Sequence, residues 1–358
     1  MRFVHMADIH FDSPFTVLAS KKDLSNIRRL EQREAFKKVI EYINKEKIPF
    51  LFISGDLYEQ EYIRKSTIEY INNLFKTIPD TKIFISPGNH DPYLNNSFYN
   101  TFNWNENVTI FDGAIKRIEL ENVDIYGYGF SDFYCADSKI DEIEIKNKEK
   151  INVLITHGSL DASKTLDMQY NPINSVKLRK IGFDYVALGH IHKANYNNEN
   201  KFIYPGSLIS FGFDEIGEHG ILDVEINKNN SDKNIKFIKI DNRIFEEKEI
   251  DISLINSEEE LIEKINDIDF EENKFYKIIL TGIKKIEINN IKIIKLINNK
   301  NILKIKNNTK IEYNLEKISE QKNLKGIFVK KLLEKIKNNP DEEKIIKRSI
   351  EIGLKMFE

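Results

Sequence analysis

Nine side chains able to hold metal ions or move protons fall in five short clusters along the chain. They are Asp8 and His10; Asp56; Asn89, His90 and Asp91; His157; and His190 and His192. Imidazoles and carboxylates suit Mn, Fe or Zn, and Cys135, the only cysteine, cannot build a thiolate site. Asp56 carries two oxygens and can bridge two ions, while the Asp8/His10 and His190/His192 pairs each offer two donors two residues apart. Two divalent ions outweigh the charges of Asp8 and Asp56, so the site stays positive and suits an anionic phosphate. Paired ions about 3.5–4 Å apart acidify a bridging water and stabilise an in-line phosphoryl transition state. Taken singly, Gly55-Asp56 or Gly88-Asn89-His90-Asp91 is explained by a turn. All five clusters in this order are not.

The elements that must position these groups are short apolar strands, expected over residues 2–7, 49–54, 82–86, 151–156 and 183–188. Each runs into one of the clusters, as expected where open α/β sheets gather active sites at the carboxyl ends of their strands. Glycines beside Asp56, Asn89, His157 and His190 allow the tight turns such convergence needs. Apolar stripes predict helices over 24–46 (Leu24, Ile27, Phe36, Val39, Ile40, Ile43) and 65–76 (Ile68, Ile71, Leu74, Phe75). Residues 220–226 and 236–240 form a hairpin pattern. Beyond Ile250, Ser257-Glu258-Glu259-Glu260 is a capping-box start, and strands over 275–280 and 310–313 complete a small α+β module. Two amphipathic helices fill 324–357, split at Asn338-Asn339-Pro340-Asp341, with Ile327, Phe328, Leu332, Leu333 and Ile336 on one face of the first. The expected division is 1–249, a capping domain at 250–317, and a C-terminal helical segment at 318–358.

The chain has 358 residues, 41% hydrophobic and 31% charged, which excludes disorder and collagen-like repeats. No apolar run approaches the roughly 18 residues of a membrane span, and the first residues lack the apolar core of a signal peptide. A cytoplasmic protein with no membrane association is the expectation. The formal net charge is −3, with a net basic C-terminal stretch on a net acidic remainder. His5 reads as a packed strand residue and His219 has no assigned role. Lys21, Lys22, Arg28 and Arg29 read as a solvated helix start, with DNA contact as the alternative.

Asp-x-His, Gly-Asp, Gly-Asn-His-Asp, His and Gly-His-x-His in this order resemble the calcineurin-like metallophosphoesterase superfamily over roughly residues 1–210. The resemblance implies an α/β (α+β) fold, a β-sandwich flanked by helices. It implies one ion on Asp8, His10, Asp56 and His192, and a second on Asp56, Asn89, His157 and His190. His90 would contact the phosphate and protonate the leaving oxygen, with Asp91 orienting its ring. Ala7–Phe15, Gly88–Tyr93, Trp104, Asn107-Val108, Tyr204-Pro205-Gly206-Ser207, Gly326–Val329 and Gly353-Leu354 resemble the SbcD-type DNA-repair exonuclease branch, most of all its YhaO-like subgroup. Glu59 departs from the pattern, standing where Asp is usual. This narrower resemblance implies a Mn²⁺-dependent exonuclease or endonuclease (Fe²⁺ or Zn²⁺ as alternatives) acting on DNA through a two-metal-activated hydroxide. It also implies an SbcC-type SMC-like ATPase docking on the C-terminal helices, and a homodimer. The alternatives are a phosphodiesterase or phosphatase of small substrates, and a non-enzymatic scaffold.

Overall fold

Phe3, Phe52 and Phe84 lie on neighbouring strands and turn their rings to the same side, Phe3–Phe52 centroids 4.6 Å apart and Phe52–Phe84 6.0 Å. Successive strand residues face opposite ways, so Val4, Met6, Leu51, Ile53, Ile83 and Ile85 fill the other side. Both faces are buried. The computed structural model describes residues 1–19, 21–162, 169–228 and 232–357.

The strands and helices run β1 (Arg2–Met6), α1 (Lys22–Glu46), β2 (Phe50–Ile53), α2 (Lys65–Phe75), β3 (Lys82–Ile85), a single turn α3 (Phe98–Thr101) and β4 (Val108–Ile110). Then come β5 (Lys116–Glu119), β6 (Val123–Gly127), β7 (Ile151–His157), α4 (Ser175–Ile181), β8 (Tyr185–Gly189) and β9 (Phe202–Ile203). The hairpin β10 (Gly220–Asn227) and β11 (Asp232–Lys239) follows, then β12 (Ile244–Asp251). One sheet has the order β11-β10-β1-β2-β3-β4, the other β5-β6-β7-β8-β9. Both are parallel at their centres, with antiparallel β10, β11 and β5 toward the edges. The phenylalanines of the first sheet meet Ile125, Val153, Ile155, Tyr185 and Ala187 of the second in one core. This is the expected sandwich.

The chain divides into two compact units, Met1–Glu246 with Glu271–Tyr276, and Glu247–Phe270 with Lys277–Glu358. The second unit therefore takes in the 250–317 region, apart from residues 271–276, together with the 318–358 region. It contains α5 (Glu258–Asn266), most of β13 (Lys274–Thr281), α6 (Asn290–Leu296), β14 (Ile302–Asn307), α7 (Leu315–Ser319), α8 (Leu324–Asn338) and α9 (Glu343–Lys355). Ser257 caps α5 by accepting from the Glu260 amide, while the Glu260 carboxylate reaches back to the Asn256 amide at 2.8 Å. Val329, Ile346, Ile350 and Leu354 form the small core of the helical end.

Two expectations change. The strand anticipated at 310–313 lies instead at Ile302–Asn307, because Asn307 Oδ1 accepts from the Thr309 amide and hydroxyl and turns the chain out of the ladder. Lys310 keeps only an isolated bridge to Ile283. On α1, Ile27 is exposed, whereas Arg28 is fully buried with its guanidinium on Asp241 at 2.9 and 2.5 Å and on the Ser210 carbonyl at 2.8 Å. Arg28 is thus part of the core, not a solvated helix start. An isolated buried charge is costly, so Arg28 and Asp241 each require the other.

His5 points into the sandwich, its ring nitrogens on the Tyr185 hydroxyl at 2.9 Å and Ser54 Oγ at 2.7 Å. Burial lowers its pKa from 6.5 to about 3, so the folded ring is neutral. The stabilising contribution is whole above the unfolded value of 6.5 and is lost as pH falls from there toward 3. The thermal midpoint should decline across that interval, and His5→Gln, which cannot take up the proton, should flatten the decline. Superimposable pH profiles for the two proteins would remove His5 as its origin.

Candidate metal centre

Five strands end at one place. Asp8 and His10 follow β1, Asp56 follows β2, Asn89 follows β3, His157 closes β7, and His190 and His192 follow β8. Turning these side chains together bends the backbone: Asp8, His10, Asp56 and His190 have φ of 52°, 51°, 53° and 102°. Such conformations cost on the order of 1–3 kcal/mol each and persist only where neighbours impose them. Here the neighbours are hydrogen bonds between the loops. The amides of Ile9 and His10 both donate to the Asp56 carbonyl at 2.8 Å. The His190 amide donates to Asp8 Oδ1 at 3.0 Å, and the His90 amide to Asp56 Oδ1 at 2.9 Å. Gly88 is required because a Cβ there would strike the Asp56 carboxylate, and Gly55 (φ 93°) because one would strike the His157 ring.

The centre is crowded with acceptors. His10 Nδ1 lies 2.8 Å from Glu59 Oε1, and His192 Nδ1 lies 2.6 Å from Glu215 Oε1. With each Nδ1–H donated to its carboxylate, both Nε2 atoms carry lone pairs, yet they face each other at 3.1 Å. His157 repeats the pattern: Nδ1 donates to the Ser54 carbonyl at 2.9 Å, and Nε2 meets Asn89 Oδ1 at 3.1 Å and Asp56 Oδ2 at 3.3 Å. His10 Nε2 is 3.6 Å from the same Asp56 oxygen. Opposed lone pairs repel unless a cation or protons lie between them.

The proton affinities express the same demand. Burial alone would lower His157 and His192, but the carboxylates around them raise both to about 9. His190, buried and beside His157, is pushed down to about 3. Burial would raise Asp56, yet His157 and His10 hold it well below the ordinary carboxylate range. Oxygen and imidazole donors arranged in this way, with the His10, His157 and His192 rings each fixed by a second acceptor, fit divalent transition-metal ions.

Asp8, His10 and His192 form one set of donors mutually within 4.8 Å, and Asp8, Asp56 and His157 another. His10, Asp56 and His90 form a third. Asn89 joins through His157. The His190 ring lies beyond these sets, packed edge-on against His157 with centroids 5.3 Å apart and beside Tyr170 at 5.1 Å.

The carboxylate bonded to the His90 ring is that of Glu59, where Asp91 was expected. Glu59 Oε2 lies 2.9 Å from His90 Nδ1 while its Oε1 holds His10, so one carboxylate spans both rings. The His90 ring is lowered by burial but raised further by Glu59 and Asp56, to about 9. Asp91 is fully buried and accepts from the amides of Asp56 (3.0 Å), Leu57 (2.6 Å) and Gly88 (2.6 Å) and from the Tyr99 hydroxyl (2.6 Å). These bonds fix the Asp56 loop, and none of them reaches the His90 ring. Glu215 carried no sequence signal, since it lies in an irregular loop. It holds His192 and also accepts from the Ser207 hydroxyl and the Phe211 amide. His219 supports that loop, bonding Ser207 Oγ at 2.9 Å and the Glu215 carbonyl at 2.9 Å.

The sequence profile described as calcineurin-like phosphoesterase matches residues 1–194, and the chain belongs to that family. Its class is therefore that of hydrolases acting on phosphoester bonds. The chain is similar to the uncharacterised metallophosphoesterase YhaO of Bacillus subtilis (strain 168), 25% identical over 278 residues that cover 75% of this chain and 67% of that protein. It is also similar to the SbcD subunit of the SbcCD nuclease of Staphylococcus epidermidis (strain ATCC 12228 / FDA PCI 1200), 28% identical over 266 residues, 64% of this chain and 67% of that one. Among solved structures it resembles a dimetal phosphatase from Danio rerio, with a TM-score of 0.39 and 9% identity over 63% of this chain and 92% of that one. No helix among the described residues is long and apolar enough to cross a membrane.

Two substitutions separate the roles of the acids. Glu59→Gln and Glu215→Gln, which loosen ring nitrogens facing the centre, should each weaken Mn²⁺ binding about ten- to a hundredfold by calorimetry. Asp91→Ala strands three buried amides and a hydroxyl, and should cost about 3 kcal/mol or more in urea unfolding. Unchanged metal affinity in the first pair, or unchanged stability in the last, would contradict these assignments.

Proposed function

We propose that this chain is a metal-dependent DNA nuclease that hydrolyses phosphodiester bonds with two divalent ions, Mn²⁺ by preference. One ion would rest on Asp8, His10, Asp56 and His192, the other on Asp56, Asn89, His157 and His190. The observation that carries the reading is the set of facing lone pairs on His10, His192, His157, Asn89 and Asp56. Bound divalent ions supply Lewis-acid charge to the phosphoryl oxygens and an acidified water.

The chain's own residues supply the rest. His90 stands at the mouth of a cleft of about 560 Å³, its Nδ1 held by Glu59. A raised proton affinity keeps the ring charged near neutrality, so Nε2–H can be donated to the departing alkoxide as a general acid. Tyr62, Phe133, Tyr134, Tyr170 and Phe211 line the same cleft, and Tyr62 and Tyr134 are more than half exposed. Exposed rings at an anion site suit the stacking of nucleobases. They favour a nucleic-acid strand over a bare phosphate monoester.

The similarity to the SbcD subunit supports action beside an SbcC-type SMC-like ATPase in DNA repair. The exposed Leu324 and Ile327 of α8, and Ile345 and Ile352 of α9, are the apolar surface offered for that docking.

With Mn²⁺, the protein should degrade linear duplex or single-stranded DNA and hydrolyse bis-p-nitrophenyl phosphate, and chelation should abolish both. His90→Ala should lower turnover about a hundredfold or more while calorimetry still detects two ions. Hydrolysis of small esters or nucleoside monophosphates without any DNA cleavage, partner ATPase present, would assign the cleft to small substrates instead.

A further inference from the structure

Beside the metal cleft lies a second hollow of about 420 Å³, and Pro14 and Tyr62 line both. Its walls carry Arg29 and Arg33 from α1, Arg64 at the start of α2, and the single carboxylate of Asp12. Four other arginines of this unit are neutralised: Arg2 and Arg28 pair with Asp223 and Asp241, Arg117 with Asp124, and Arg243 with Glu31. The arginines of the hollow are not matched in this way. Asp12 Oδ2 is occupied by the Arg64 amide at 3.1 Å and the Thr67 hydroxyl at 2.7 Å, and its Oδ1 is 3.9 Å from Arg33. Arg29 bonds Asn26 Oδ1 at 3.2 Å, and among the described residues neither its guanidinium nor that of Arg64 meets a carboxylate.

The hollow is also held in shape. Arg33 is fixed by the Thr67 hydroxyl at 2.9 Å and lies over the Tyr70 ring at 5.3 Å. Asp12 is two residues from His10, so the loop that carries a metal donor also carries the floor of the hollow. Guanidinium groups offer paired donors matched to phosphate oxygens, and three of them around one engaged carboxylate leave an excess of positive charge.

We propose that this hollow is a subsite for the sugar–phosphate backbone of a single-stranded DNA whose scissile bond lies in the metal cleft. Tyr62, at the junction, offers a ring face to the intervening nucleoside. The inference rests on the nuclease reading of the cleft and adds to it the direction in which the strand leaves. A small ester ends inside the cleft, so only an oligonucleotide meets Arg29, Arg33 and Arg64.

The test is the full-length double variant R29E/R64E, with fluorescein-labelled twelve-residue oligothymidylate as probe and EDTA present to prevent cleavage. Fluorescence anisotropy should give a Kd at least tenfold weaker than wild type. The dependence of log K on log salt should be shallower by about 1.4, since each phosphate contact on a single strand contributes about 0.7. Turnover of bis-p-nitrophenyl phosphate with Mn²⁺ and the melting curve should not change. Equal affinities of the two proteins, or no wild-type affinity, overturn the subsite. If small-ester turnover also falls, R64Q, which removes one exposed charge, decides, and unaltered affinity there overturns the subsite too. Weakened binding in the variant with no DNA cleavage by wild type would keep the subsite and reject the nuclease reading.

Discussion

Repulsion between the lone pairs gathered around Asp56 is the constraint that the surroundings of the site have to hold. Asp56 Oδ2 faces His157 and His10, and around it Asn89 and His192 also present acceptors. Without positive charge among them this arrangement is unfavourable, and the surrounding structure maintains it nonetheless. Glu59, Glu215 and the Ser54 carbonyl fix each imidazole by its far nitrogen, and Asp91 fixes the Asp56 loop. The left-handed residues Asp8, His10, Asp56 and His190 are part of the same cost. Sites that bind highly charged ligands are built in this way, with the destabilisation held locally and offset by the apolar sandwich beneath.

That sandwich explains why the donors can be so far apart in the chain. Parallel strands in both sheets send their carboxyl ends the same way, so β1, β2 and β3 deliver one set of loops and β7 and β8 the other. Phe3, Phe52 and Phe84 against Val153, Ile155 and Tyr185 fix the separation between the sheets. The chemistry sits on rigid strand ends, while Tyr62, Phe133 and Tyr134 line the opening from the irregular segments between them.

The central strands are legible in the sequence, and so is the meeting of Asp8, His10, Asp56, Asn89, His90, His157 and His192, because each apolar run stops at or just before a residue able to bind metal. Less legible are groups whose importance is purely tertiary. Glu215 looks like any loop acid until His192 is seen beside it, and Glu59 reads as a mismatch until His10 and His90 are found on its two oxygens. Adjacency ties Asp91 to the neighbouring ring, whereas its carboxylate turns inward to backbone amides. Arg28 reads as solvated because its partner Asp241 lies 213 residues away. Strands β4, β5 and β9 are only 2–4 residues long, too short to show a period.

The hydrogen bond from the His190 amide to Asp8 closes a loop of 182 residues. Contacts between such distant segments are slow to form, because the entropy of closing the intervening chain must be overcome before they are rewarded. Both layers have to be paired before these two residues meet, so the donor sets that join Asp8 to His157 or His192 are complete only when both sheets are in place. A cation held by those sets would tie the two layers to each other at their carboxyl ends.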